Sequence, residues 1–166
     1  MKKENISFSS DGIRATRKDL DETSRISEDY FGTQNDPEQM AVDSNTKKWV
    51  EENVLDYLNV IKNDQDVIGY AFLLPCNRTL MNEFVSRQIN EADLFKRIKK
   101  IKNIGDNIPE TLYLCASVIK NGFRHKGLAT EAFVKMINKI TENGRYRPIL
   151  FAWAYSKKGG KLVNKI

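Results

Sequence analysis

The chain has 166 residues, 40% hydrophobic and 30% charged, which suits one folded domain and excludes a disordered one. Its formal net charge of +5 favours an anionic ligand but is too modest and too dispersed for a nucleic-acid binder. No apolar run approaches the roughly 20 residues of a membrane span and no signal-peptide core follows Met1, so the expectation is a cytoplasmic protein with no membrane partner.

Taken along the chain, "GIRATRKDL" predicts a short strand that runs into a helix, with Thr16 as cap and Asp19 and Asp21 in the first turn. Gly32 ends that helix after Phe31. Asp36-Pro37 then predicts the start of a second helical region, since proline is tolerated in a first turn. "YLNVIKNDQDVIGYAFLLP" reads as a hairpin: two β-rich runs flank the polar turn Asn63-Asp64-Gln65-Asp66, and Pro75 closes the second. "NEADLFKRIKKI" places Leu94, Phe95, Ile98 and Ile101 on one helical face, within a long connection over residues 76–110 that could wall a site. Its lysines read as a solvated face.

"TLYLCASVI" is apolar on both alternation faces, as expected of a central strand covered on both sides. From Ala129, the apolar positions Ala132, Phe133, Met136, Ile137 and Ile140 recur with helical period until Asn143-Gly144. "ILFAWAY" reads as another buried strand, and "SKKGGKLVNKI" as the start of a last helix. The two cysteines, Cys76 and Cys115, sit in apolar runs and read as reduced core thiols. No repeat, low-complexity tract or linker divides the chain, so residues 1–166 form a single α/β domain with a mixed sheet.

The junction between the central strand and the amphipathic helix carries the chemistry. A helix that begins near Lys126 leaves its first four amides without intrahelical partners, and its dipole places positive charge there. Small residues at Gly127 and Ala129 admit a bulky anion to the backbone, and Arg124 and Lys126 add full charges to the rim. Such a turn is a physically sensible phosphate cradle; an ordinary strand-to-helix turn with exposed basic residues is the alternative. The P-loop pattern fails, because Gly160-Lys161 is followed by Leu162 and no glycine stands five places earlier, and the dinucleotide fingerprint is absent.

What remains, Arg124-x-x-Gly127-x-Ala129 after a hydrophobic strand, resembles the acetyl-coenzyme A signature of the GCN5-related N-acetyltransferase (GNAT) family. "SVIKNGFRHKGLATEAF" is similar to that family's core motif along its length. "IRATRKDLDE", "DVIGYAFLL" and "ILFAWAYSKKGGKLVNKI" resemble its first strand and helix, its third strand, and its fifth strand with the following helix. The resemblance implies a mostly antiparallel mixed sheet with a splayed pair of fourth and fifth strands, the acyl-coenzyme A N-acyltransferase fold. It also implies acetyl-coenzyme A as co-substrate. The backbone of His125, Lys126, Gly127, Leu128 and Ala129 would bind the diphosphate, with Arg124 opening the loop and Thr130 adding a hydroxyl. Ser117, Val118 and Ile119 would pair with the pantetheine arm.

The implied reaction is direct attack of a primary amine on the thioester in a ternary complex, which needs a base for the ammonium proton and an acid for the thiolate. The tyrosine that many members use as acid is replaced here by Val163. Candidates for the two roles are Tyr113 and Glu83, with Tyr155 and Ser156 near the end of the fifth strand. His125 reads as a solvated side chain on a useful backbone, Cys115 as a buried thiol, and no residue cluster has metal-ligand spacing. A non-catalytic acyl-coenzyme A-binding module of the same fold is the alternative. Ile166 stands where the family continues into two further strands, so those strands are expected to be missing. A sheet edge left open in this way invites a homodimer.

Overall fold

The computed structural model describes residues 5–154 and 157–166. Local capping starts its first helix, α1 (Arg17–Phe31). Thr16 Oγ1 accepts the Asp19 amide at 3.2 Å while Asp19 Oδ2 accepts the Thr16 amide at 2.8 Å, a reciprocal capping box. Gly32 ends the helix at φ 59°, a left-handed conformation that glycine adopts without a Cβ penalty.

Two expectations fail at this end of the chain. Residues 13–16 form no strand; the first strand is β1 (Ile6–Phe8), which pairs with Ile61–Asn63. Asp36-Pro37 opens no helix, because the Asp36 carboxylate accepts from the Glu38 amide and from Gln39 Nε2, a local turn that competes with helix formation. The second helix, α2 (Ser44–Asn53), starts instead at Asp43, whose side chain accepts from the Thr46 amide.

The hairpin forms as its sequence predicts. β2 (Leu58–Asn63) and β3 (Asp66–Cys76) meet at the pair Asn63↔Asp66, and Asp64 takes φ 55° in the turn. The connection that follows holds two helices, α3 (Arg78–Val85) and α4 (Glu91–Ile98), capped by Asn77 and Asn90. α4 buries Leu94, Phe95 and Ile98, as its spacing requires. β4 (Thr111–Ile119), α5 (Leu128–Ile140), β5 (Ile149–Ala152) and α6 (Lys157–Val163) complete the order.

The five strands run β1-β2-β3-β4-β5 in one sheet, antiparallel except for the parallel β4–β5 pair. The molecule is therefore an α/β fold with a mixed sheet. One face, with Tyr70, Phe72 and Tyr113, lies under α1, α2 and α4: Tyr70 OH hydrogen-bonds Ser27 Oγ, and Tyr113 OH donates to Glu91. The other face meets α5, where buried Asn59 donates to the Ala132 carbonyl at 3.0 Å. β5 departs from the expected buried strand. It is an edge, with Phe151 buried but Ile149 and Leu150 40% and 37% exposed. Among the described residues no helix is long and apolar enough to cross a membrane.

Two departures from regular pairing shape β4. Phe72 pairs with Ala116 but Leu73 with Leu114, so Cys115 is the extra residue of a β-bulge. Because side chains alternate, the bulge puts Tyr113 and Ala116 on the same face rather than on opposite ones. β5 accompanies β4 only from Thr111↔Ile149 to Leu114↔Ala152. Beyond Leu114, among the described residues, the edge of β4 that faces β5 has no strand beside it.

Candidate functional site

Chain reversal after β4 is built from its own loop. Arg124 Nε donates to the Ile119 carbonyl at 2.7 Å, and the guanidinium stands 5.8 Å from the centre of the Tyr30 ring. The side chain thus ties the loop to the strand end and to the last turn of α1. His125 and Gly127 take φ 66° and 77°, while Lys126 between them does not share this positive φ. Backbone whose φ alternates in sign turns successive N–H groups toward one concavity, the geometry of an anion nest.

Gly127 caps α5 with no side-chain hydrogen bond, and the first backbone bond there is from the Glu131 amide to the Gly127 carbonyl at 3.0 Å. The amides of Leu128, Ala129 and Thr130 are therefore left at the positive end of the helix dipole. A Cβ added at Gly127 would meet no atom within 4 Å, so the space before the turn is open.

One groove gathers most of the residues singled out from the sequence. Ser117, Val118, Ile119, Arg124, His125, Gly127, Leu128, Ala129 and Thr130 all line it. Tyr30 also lines it, as do Lys161, Leu162 and Lys165 on and just after α6, so two further cations join Arg124 around it. Lys126 does not line it; its ammonium lies 5.4 Å from the centre of the Phe123 ring. The lysines of α6 gave no signal in the sequence, since only the fold brings them to the turn.

A second cavity opens where the first stops. Its wall includes Cys115 and Ala116 on β4, immediately before the Ser117 of the groove, and Trp153, the residue after β5. Leu20, Met40, Val42, Val50 and Phe72 are among its apolar lining. Glu91, at the start of α4, is the sole carboxylate among the described residues of this wall, and only 9% exposed. Its Oε1 accepts from Tyr113 OH at 2.7 Å and its Oε2 from the Met40 amide at 2.9 Å. Burial raises the carboxyl above its ordinary range, and those two hydrogen bonds only partly offset this.

The four side chains suggested for acid and base work are scattered. Tyr113 is buried, stacked on Phe151 and bonded to Glu91, and its phenol is pushed far up by burial and then by the neighbouring carboxylate. Glu83 is ion-paired with Arg97 outside both cavities. Tyr155 and Ser156 lie outside the described residues. Glu91 was missed because a glutamate in a first helical turn reads as a dipole partner, and nothing local marks it as buried.

Both cysteines are free. Burial pushes the Cys76 thiol up to about 11 and Cys115 well above the usual value, so both remain thiols at neutral pH. No cluster of histidine, cysteine, aspartate and glutamate able to hold a metal occurs among the described residues. No protein-family model and no curated protein matches the chain.

Proposed function

We propose that the chain is an acetyl-coenzyme A-dependent N-acetyltransferase of the acyl-coenzyme A N-acyltransferase fold, which transfers acetyl to a primary amine by direct attack in a ternary complex. The observation that carries this reading is the parting of β4 from β5 beyond Leu114, between a basic groove and an apolar cavity. The groove supplies unpaired amides at residues 128–130 and the cations Arg124, Lys161 and Lys165, which suits a diphosphate. The open edge at Ser117–Ile119 suits an extended amide-bearing arm, which would add to the sheet as a strand does. A thioester at the end of that arm reaches the β4–β5 gap, where the second cavity begins.

In this reading the protein binds and aligns two substrates and brings the amine nitrogen to the thioester carbonyl, the largest contribution available to a site without a covalent nucleophile. A backbone N–H on the open edge of β4 is the donor for the tetrahedral oxyanion. The departing thiolate leaves toward the groove and takes its proton from solvent, since α6 carries Val163 rather than a phenol there.

The test is titration calorimetry with acetyl-coenzyme A, followed by thiol release across a panel of amines. Binding with turnover is expected, and absence of binding refutes the reading. The replacement of the phenol by Val163 favours a second reading, a non-catalytic acyl-coenzyme A-binding module, which would bind without releasing thiol for any amine. We also propose that two copies associate through β5, an edge that exposes Ile149 and Leu150 and has no outer partner among the described residues. Light scattering that shows a monomer at high concentration would refute this.

A further inference from the structure

The cavity beyond the strand gap carries enough chemistry to narrow the acceptor, given the acetyltransferase reading on which this step rests. A cationic amine needs an anion to hold it in a dry site, and each additional ammonium needs another, because an unpaired buried charge is severely penalised. Among the described residues the wall offers one carboxylate, Glu91. Among the described residues its sole cation is Lys47, whose ammonium is already matched by Asp21 at 2.6 Å, so none of them offers a substrate carboxylate a free partner. The remaining polar groups are neutral, and Leu20, Val42, Val50 and Phe72 offer an apolar bed.

We propose that this cavity takes a monoamine with an apolar body, and that Glu91 is the catalytic residue that holds the ammonium and removes its proton. The carboxylate spends one lone pair on Tyr113 and one on Met40, which fixes both oxygens and leaves further lone pairs for the substrate. Tyr113 is thus a positioning residue. The upward shift that burial imposes on Glu91 suits a proton acceptor.

One ammonium proton passes to a Glu91 oxygen, and the freed lone pair of the amine attacks the acetyl carbonyl carbon. The C–N bond forms first and moves the carbonyl pair onto oxygen; the tetrahedral oxyanion then collapses, the C–S bond breaks and its electron pair leaves on sulfur. The second nitrogen proton is lost to solvent as the amide forms, the thiolate takes up one proton, and Glu91 releases its own to water. The net products are the acetamide, coenzyme A thiol and one proton.

The experiment uses the full chain, acetyl-coenzyme A, and hexylamine, 2-phenylethylamine, spermidine and kanamycin as acceptors. The two monoamines are expected to exceed spermidine and kanamycin in kcat/KM by at least about tenfold. Glu91→Gln keeps the shape, with its amide oxygen placed to accept from the Met40 amide and its NH2 to donate to the Tyr113 hydroxyl oxygen, and is expected to lose about 100-fold or more in kcat with the acetyl-coenzyme A affinity unchanged. Ser24→Phe, at a half-buried position of the wall, adds bulk to the cavity and is expected to raise KM for 2-phenylethylamine while cofactor affinity holds.

A preference for spermidine or kanamycin, or full activity in Glu91→Gln, overturns this inference and leaves the acetyltransferase reading standing. Failure of the unmodified chain to bind acetyl-coenzyme A removes that reading, and this inference with it.

Discussion

Asp19 lies buried beneath the first turn of α1, where it bonds the Thr16 amide and pairs with Lys62 at 2.8 Å. Burial alone would raise its carboxyl. The Lys62 ammonium and the Thr16 groups outweigh that effect and hold it below the ordinary 3.8. A carboxyl depressed on folding stabilises above its unfolded value, and that contribution is lost as pH falls through the folded one. Asp19→Asn should therefore cost about 1.5–3 kcal/mol at pH 7. In urea titrations the gap between variant and parent should narrow once pH drops below 3.8. Glu91 is the opposite case, since burial raises its carboxyl and the folded chain holds that proton more tightly than the unfolded one. Its stabilising contribution is full below the ordinary 4.5 and is lost as pH rises through the folded value. Glu91→Gln should accordingly be at least as stable as the parent at pH 7 and gain nothing at pH 4, again by urea titration. A variant that lost activity yet gained stability would show a site maintained at a cost to the fold.

At the scale of elements, the close approaches of backbone decide what can change. A Cβ on Gly105 would lie 1.9 Å from the Asn53 carbonyl oxygen, so this glycine lets the long connection rest against the end of α2. Gly105→Ala should destabilise by about 1–3 kcal/mol, read as a lower melting temperature. Gly127→Ala meets open space and carries only the strain of its left-handed φ, about 1–2 kcal/mol. The same elements show how far the sequence could be read. α5 was legible because its apolar stripe is long and regular, and the β2–β3 hairpin because its polar turn is short. β1 was not, since three residues carry too little alternation and are fixed by backbone pairing with a distant strand. α3 went unread although Asn77 followed by Leu80, Met81 and Phe84 is a cap with helical spacing. β5 was read as buried from its apolar letters, but an edge strand shows the same letters. The basic turn was found from a local motif. The second cavity was not, because Glu91, Met40 and Ala116 come from three separate stretches and share nothing until the chain folds.

The whole molecule couples its proposed ligand to its stability. The groove draws on β4, the loop at Arg124, α5 and α6, so a molecule seated there bridges these elements. A ligand that binds the folded state alone stabilises it by about 2.7 kcal/mol at a hundredfold excess over its dissociation constant. For a chain of this length that corresponds to a rise of about 5–10 °C in melting temperature. Acetyl-coenzyme A and coenzyme A should both give this rise, because the diphosphate rather than the acetyl group engages the turn. Acetyl-pantetheine, which lacks the diphosphate, should give little. The rise should shrink with added salt, since Arg124, Lys161 and Lys165 act on the anion through partly exposed groups and the screening length is only about 10 Å at 0.1 M. Gly127→Glu should abolish it while the unliganded melting temperature falls only by the backbone strain. If Gly127→Glu melts near the parent and still responds fully to coenzyme A, the diphosphate does not sit at the head of α5.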